Sequence, residues 1–130
     1  MRYLVCLAVA AMINAADFTT DIHPILAKRC LGCHSGEKPR GLFRIVARDA
    51  ILKGGASGEA AIVPGHSEKS PLIDYVTGHV PDSEMPPKAQ RKRFPALGTN
   101  EVAPLRAWID QGAECPKDVL LSSRKFEKQR

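Results

Sequence analysis

Residues 30–34 read Cys30-Leu31-Gly32-Cys33-His34, and this spacing limits what the chain can become. Two thiols three positions apart, with a histidine directly after the second, form the attachment signature of c-type haem. Each thiol adds across one haem vinyl group, and the two-residue gap lets both sulfurs reach one porphyrin edge. The next residue then falls under the iron. Cys30 and Cys33 are thus expected to be covalent anchors for one haem c, and His34 the proximal iron ligand.

Other uses of the same residues fit less well. A thioredoxin-like redox pair needs a strand-helix-strand setting, and none surrounds this motif. A zinc site needs two more ligands at regular spacing, and His23, His66 and His79 do not supply them. His23 shares a helix with the motif, so it cannot reach the haem face opposite His34. It reads as a helix-start or surface histidine.

Residues 1–16 combine a basic start, a short apolar run from Leu4 to Ile13 and small residues at the end, Asn14-Ala15-Ala16. That is the pattern of a secretory signal peptide, with cleavage after Ala15 or Ala16. The run is too short to span a membrane, so no span is expected in the mature chain. Cys6 would leave with the signal. The expected location is the periplasm or another space outside the cytoplasmic membrane, which suits covalent haem assembly. The expected organisation is a signal over 1–16, one domain over 17–117 and a charged tail over 118–130.

A domain this small buries a modest core and benefits from a staple, and a covalent porphyrin supplies one. Aromatic content is low, at one Trp, two Tyr and four Phe. The chain carries 19 Lys and Arg against 14 Asp and Glu, a formal +5. No basic helical stripe is interleaved with aromatics, so nucleic acid is not an expected partner.

Hydrophobic periodicity predicts a helix from Asp17 to Arg29, with Phe18, Ile22, Ile25 and Leu26 on one face and Thr20 or Asp21 as its cap. Lys28 and Arg29 suit its C-terminal end. Residues Gly41–Val46 read as a short extended segment. Further helices are expected at Arg48–Lys53, stopped by Gly54-Gly55, at Ser67–Thr77, capped by Ser67 or Ser70, and at Thr99–Gly112, capped by Thr99 or Asn100. Pro104 falls at about the fourth position of the last helix, near the limit of tolerance. Trp108 and Ile109 would pack on Ile22, Leu26 or the porphyrin. Cys115 is a leftover thiol, read as a small residue packed behind the last helix. The fold class is all-α, a small cytochrome c-like helical domain wrapped around one covalently attached haem.

Between Val80 and Gly98 lies a proline-rich loop holding Asp82-Ser83-Glu84-Met85-Pro86-Pro87. Long irregular segments in compact domains are usually functional or disordered. Met85 is the only methionine left once the signal is removed. A thioether is a weak, soft iron ligand that needs a stiff backbone, and Pro86 and Pro87 provide one. Met85 is therefore expected as the second axial ligand, with His79 and then His66 as rivals. Lys88, Arg91, Lys92 and Arg93 follow closely and would form a basic rim steering an acidic partner.

The stretches Ile22–His34, Arg48–Gly58, Ile62–Leu72, Met85-Pro86-Pro87 and Trp108–Ala113, in this order, resemble the planctomycete-type cytochrome c domain. The likeness covers about residues 18 to 116. It implies a haem-binding electron-transfer domain with His34 and Met85 axial. Two departures stand out: Pro104 in the last helix, and the basic cluster Arg91-Lys92-Arg93. Members usually carry the domain at the front of a longer protein, so this chain reads as a standalone carrier or a shortened relative. The expected function is a one-electron carrier serving a redox partner protein. The alternative is a haem enzyme or gas sensor with an open or displaceable sixth position, for which the sequence offers no obvious distal His/Arg pair beyond His79 and Arg91.

Overall fold

A computed structural model describes residues 15–116. The expected signal core and Cys6, and the tail over 118–130, lie outside the described residues. Those described form four α-helices joined by loops and short 3₁₀ turns, with no strand among them. The all-α expectation holds. No helix among them is long and apolar enough to cross a membrane.

The first helix begins as one wide π turn, Phe18–Ile22, and continues as α1, His23–Arg29. Pro24 lies in the first turn of α1, where its missing N–H breaks little. The cap is Asp17, not Thr20 or Asp21. Asp17 is extended, and its carboxylate accepts the Thr20 N–H at 2.9 Å and the Thr20 hydroxyl at 2.8 Å. Asp21 instead accepts the Asp17 N–H at 2.8 Å.

Helix α2 spans Arg48–Lys53, the range its sequence predicts. Gly54 stops it at φ +76°, and a Cβ there would meet the Glu59 carbonyl. Only glycine fits that close approach. The expected extended segment Gly41–Val46 is extended only in part. Arg40–Leu42 is a tight turn with Gly41 and Leu42 at φ +62° and +54°, and the chain extends only from Phe43.

Helix α3 spans Pro71–Val76, preceded by a separate turn at Ser67–Lys69. Ser70 holds the N-cap position, but its hydroxyl serves the loop. It accepts the Val63 N–H at 2.9 Å and donates to the His66 carbonyl at 2.8 Å. These bonds let Ser70 be fully buried.

Helix α4 spans Thr99–Asp110 and is capped at Gly98, one residue before the expected cap, with the Gly98 N–H donating to Glu101 at 3.3 Å. Pro104 is its sixth residue, yet the helix is continuous through it. The core joins Phe18, Ile22 and Leu26 to Leu105, Trp108 and Ile109. Phe18 and Trp108 rings lie 5.6 Å apart. Cys115 packs partly against this core, and burial pushes its thiol up to about 11.

Three polar joints fasten α4 to the rest. Arg48 donates to the carbonyls of Ala113 and Gly112 at 2.8 and 3.1 Å. Asp110 accepts from the Ser67 N–H and hydroxyl at 2.7 and 3.0 Å. Arg29 grips Glu101 with two bonds, at 3.1 and 3.0 Å, and both side chains are largely buried. Glu101→Gln is expected to destabilise the fold by about 2 kcal/mol, measured by chemical unfolding, because it leaves Arg29 underpaired. Arg29 holds the Glu101 carboxyl below its ordinary 4.5. This contribution is complete above pH 4.5 and is lost as pH falls through the lower folded value, a loss the Gln variant should not show.

Candidate cofactor site

The Cys30–His34 motif continues the turn of α1. The Cys33 and His34 N–H groups both donate to the Cys30 carbonyl, at 3.2 and 3.0 Å. Leu31 turns fully into the core while Gly32 faces outward. Burial pushes the Cys30 thiol up to about 12, with Glu101 adding to the effect.

His34 is oriented by the loop that follows α1. Its Nδ1 lies 3.1 Å from the Phe43 carbonyl, and its own carbonyl accepts the Ile45 N–H at 2.8 Å. A carbonyl can only accept, so Nδ1 carries the proton and Nε2 keeps its lone pair. Burial lowers the His34 pKa, which favours the neutral ring a metal ion requires.

Cys30, His34 and Met85 all line one cavity of about 430 Å³. Most of its surface is apolar, with Phe43, Ile45, Leu72 and Val76 contributing. Cys33 is outside the lining but adjoins His34 in the chain. The rival histidines do not line it. His66 Nδ1 is 3.1 Å from Glu68, His79 Nδ1 is 2.6 Å from the Thr77 hydroxyl, and His23 stacks against Phe18. Arg91 is absent from the lining too, so His79 and Arg91 form no polar pair inside the cavity. Among the described residues no three His, Cys, Asp or Glu side chains converge as a metal cluster, so no zinc set surrounds the thiols.

The Met85 backbone is held from two sides. Its N–H donates to the Tyr75 carbonyl of α3 at 2.9 Å. The next carbonyl, of buried Pro86, accepts from Arg91 Nε at 2.7 Å. The Met85–Pro86 bond is cis. Lys88 pairs with Glu84 at 3.1 Å. Two of the four charges expected to form a free basic rim are therefore engaged in building the loop. Lys92 and Arg93 remain exposed, with the Arg93 guanidinium 5.1 Å from the centre of the Phe94 ring.

The donor set fits a c-type haem: two neighbouring thiols, an imidazole held through Nδ1 by the Phe43 carbonyl, a thioether on the same cavity and an apolar lining. A family model described as Planctomycete cytochrome C matches residues 30–89, starting at Cys30 and ending just past Met85. Residues 30–89 carry the planctomycete-type cytochrome c domain. No curated protein and no solved structure matches the chain. A cytochrome c domain implies haem, and Cys30 and Cys33 fit the CxxCH site. The match covers neither α1 nor α4, whose residues complete the core of this domain around Cys30.

Sequence reasoning missed Phe43, Tyr75 and the structural use of Arg91. The first two act through backbone carbonyls, which every residue has, so no side-chain pattern marks them. For Phe94 there was a signal, a lone aromatic inside a charged run.

Proposed function

We propose that this domain is an exported one-electron carrier with one haem c, anchored by Cys30 and Cys33 and ligated by His34 and Met85. The observation that carries the reading is that His34 and Met85 line one cavity while every other described histidine is engaged elsewhere. The haem supplies the iron couple, Fe(III) to Fe(II). His34, oriented by Phe43, offers Nε2, and Met85, fixed by Tyr75, offers its sulfur. If His34 and Met85 both held the iron, no open position would remain there for a substrate, which favours a carrier over an enzyme or sensor. The apolar side chains of Phe43, Ile45, Leu72 and Val76 on the cavity wall would favour the less charged, reduced state. An absorption spectrum of the purified protein tests this. A low-spin, six-coordinate haem with a methionine–iron band is expected, and a high-spin, five-coordinate haem would overturn it.

The first sixteen residues support a location outside the cytoplasmic membrane. The partner is inferred to be a redox protein with an acidic face, met by Lys92 and Arg93. Reversing both to Glu should slow electron transfer to that partner severalfold at low salt without changing the haem spectrum. The difference should shrink as salt screens the charges. Equal rates at low ionic strength would leave these two residues without a docking role.

A further inference from the structure

The segment from Pro86 to Pro95 touches the attachment motif at one end and the methionine loop at the other. At the motif end, a Cβ on Gly32 would lie 2.6 Å from Phe94 Cζ, so the tip of the Phe94 ring sits directly on the glycine between the two cysteines. Beside it, Arg29 donates to the Pro95 carbonyl at 3.3 Å while held by Glu101. At the other end, Arg91 Nε donates to the Pro86 carbonyl at 2.7 Å.

The stretch between these ends is stiff. Gln90 donates to the Pro87 carbonyl at 2.9 Å, and Arg93 and Phe94 both donate back to Gln90, at 3.0 and 2.7 Å. Each turn closes within a few residues, so little slack separates Arg91 from Phe94. The Pro86 carbonyl belongs to the residue directly after Met85, and Pro86 has no N–H of its own to fix it. Arg91 therefore completes the hold on the Met85 backbone that Tyr75 begins.

We propose that Arg91 is a positioning residue for Met85, acting through the Pro86 carbonyl, and that Phe94 seats this brace on Gly32 of the attachment motif. The proposal rests on the reading that Met85 binds iron. A thioether is a weak ligand, so its occupancy depends on how firmly the backbone presents it. An arginine that holds the loop raises the effective concentration of the sulfur at the sixth position. Losing it leaves the thiols and His34 untouched but lets an outside ligand compete.

The test titrates imidazole into the ferric, haem-loaded full chain and follows the absorption spectrum, with thermal melts alongside. Arg91→Met keeps the length and removes the donors, and should tighten apparent imidazole binding about tenfold, the weight of one charged hydrogen bond. Arg91→Lys keeps a donor and should stay nearer the parent. Met85→Ala should bind imidazole far more tightly, and adding Arg91→Met to it should change nothing further. Gly32→Ala, which pushes the Phe94 ring from the far end, should act in the same direction as Arg91→Met, and it serves as the test if Arg91→Met fails to fold.

Unchanged imidazole affinity in Arg91→Met, or in Gly32→Ala where that stands in, overturns the brace. So does a tenfold effect that persists in the Met85→Ala background, since it would act independently of the sulfur. Parent-like affinity in Met85→Ala alone would instead overturn methionine ligation itself, and that result does not depend on Arg91.

Discussion

Replacing Cys30 and Cys33 together with alanine is expected to yield a chain with neither covalent haem nor a stable fold. The cavity beside these residues measures about 430 Å³ and is largely apolar. Cavity costs run at ~24 cal/mol per Å³, so half this volume left dry and unfilled would cost about 5 kcal/mol. That equals the lower end of a whole domain's stability. Water entering instead would wet Phe43, Ile45, Leu72 and Val76, which is unfavourable for another reason. A haem stain on a denaturing gel reads attachment, and circular dichroism with limited proteolysis reads the fold. A double variant that melts cooperatively near the parent temperature would show that the domain is not built around a porphyrin.

Met85→Ala should keep the haem attached and open the sixth position. The methionine band should vanish, carbon monoxide should bind the reduced protein, and the reduction potential should fall by roughly 0.2 V, within the ~0.8 V that axial ligands span. Met85→His should also lower the potential, through a second imidazole, without admitting carbon monoxide so readily. The pair of variants separates loss of a ligand from change of a ligand. An unchanged spectrum in Met85→Ala would move the role to another residue. His79 or His66 would then have to leave Thr77 or Glu68 to reach the cavity.

Local spacing made much of this site legible. Cys30, Cys33 and His34 stand in a run whose chemistry needs that order. Met85 was singled out by elimination and by its prolines. The range of α2 followed from three apolar residues and Gly54, all within one or two turns. What the spacing left out has one cause. Arg29 does stand in the last turn of α1, as its charge suggested, and Arg91 read as part of a basic rim. In the fold, Arg29 pairs with Glu101 and Pro95, and Arg91 serves the Pro86 carbonyl. A guanidinium's charge is visible in a sequence, but its acceptor is set by tertiary packing. The helix caps failed more narrowly. Gly98 lies just before Thr99, and Asp17, itself a good cap, lies three residues before Thr20, so the direction of the entering chain decided between candidates close in sequence.

The Arg29–Glu101 pair joins residues 72 positions apart. Synthesis runs from the N-terminus, so the two thiols leave the ribosome long before the carboxylate that will clamp the residue beside them exists. The same holds for Phe94, which comes to lie on Gly32, and for Trp108 and Ile109 in the core beneath α1. Until those late residues arrive, Cys30 is open on the side that the finished domain covers. Time is thus written into the chain order: the reactive end comes first, and its lid is made last.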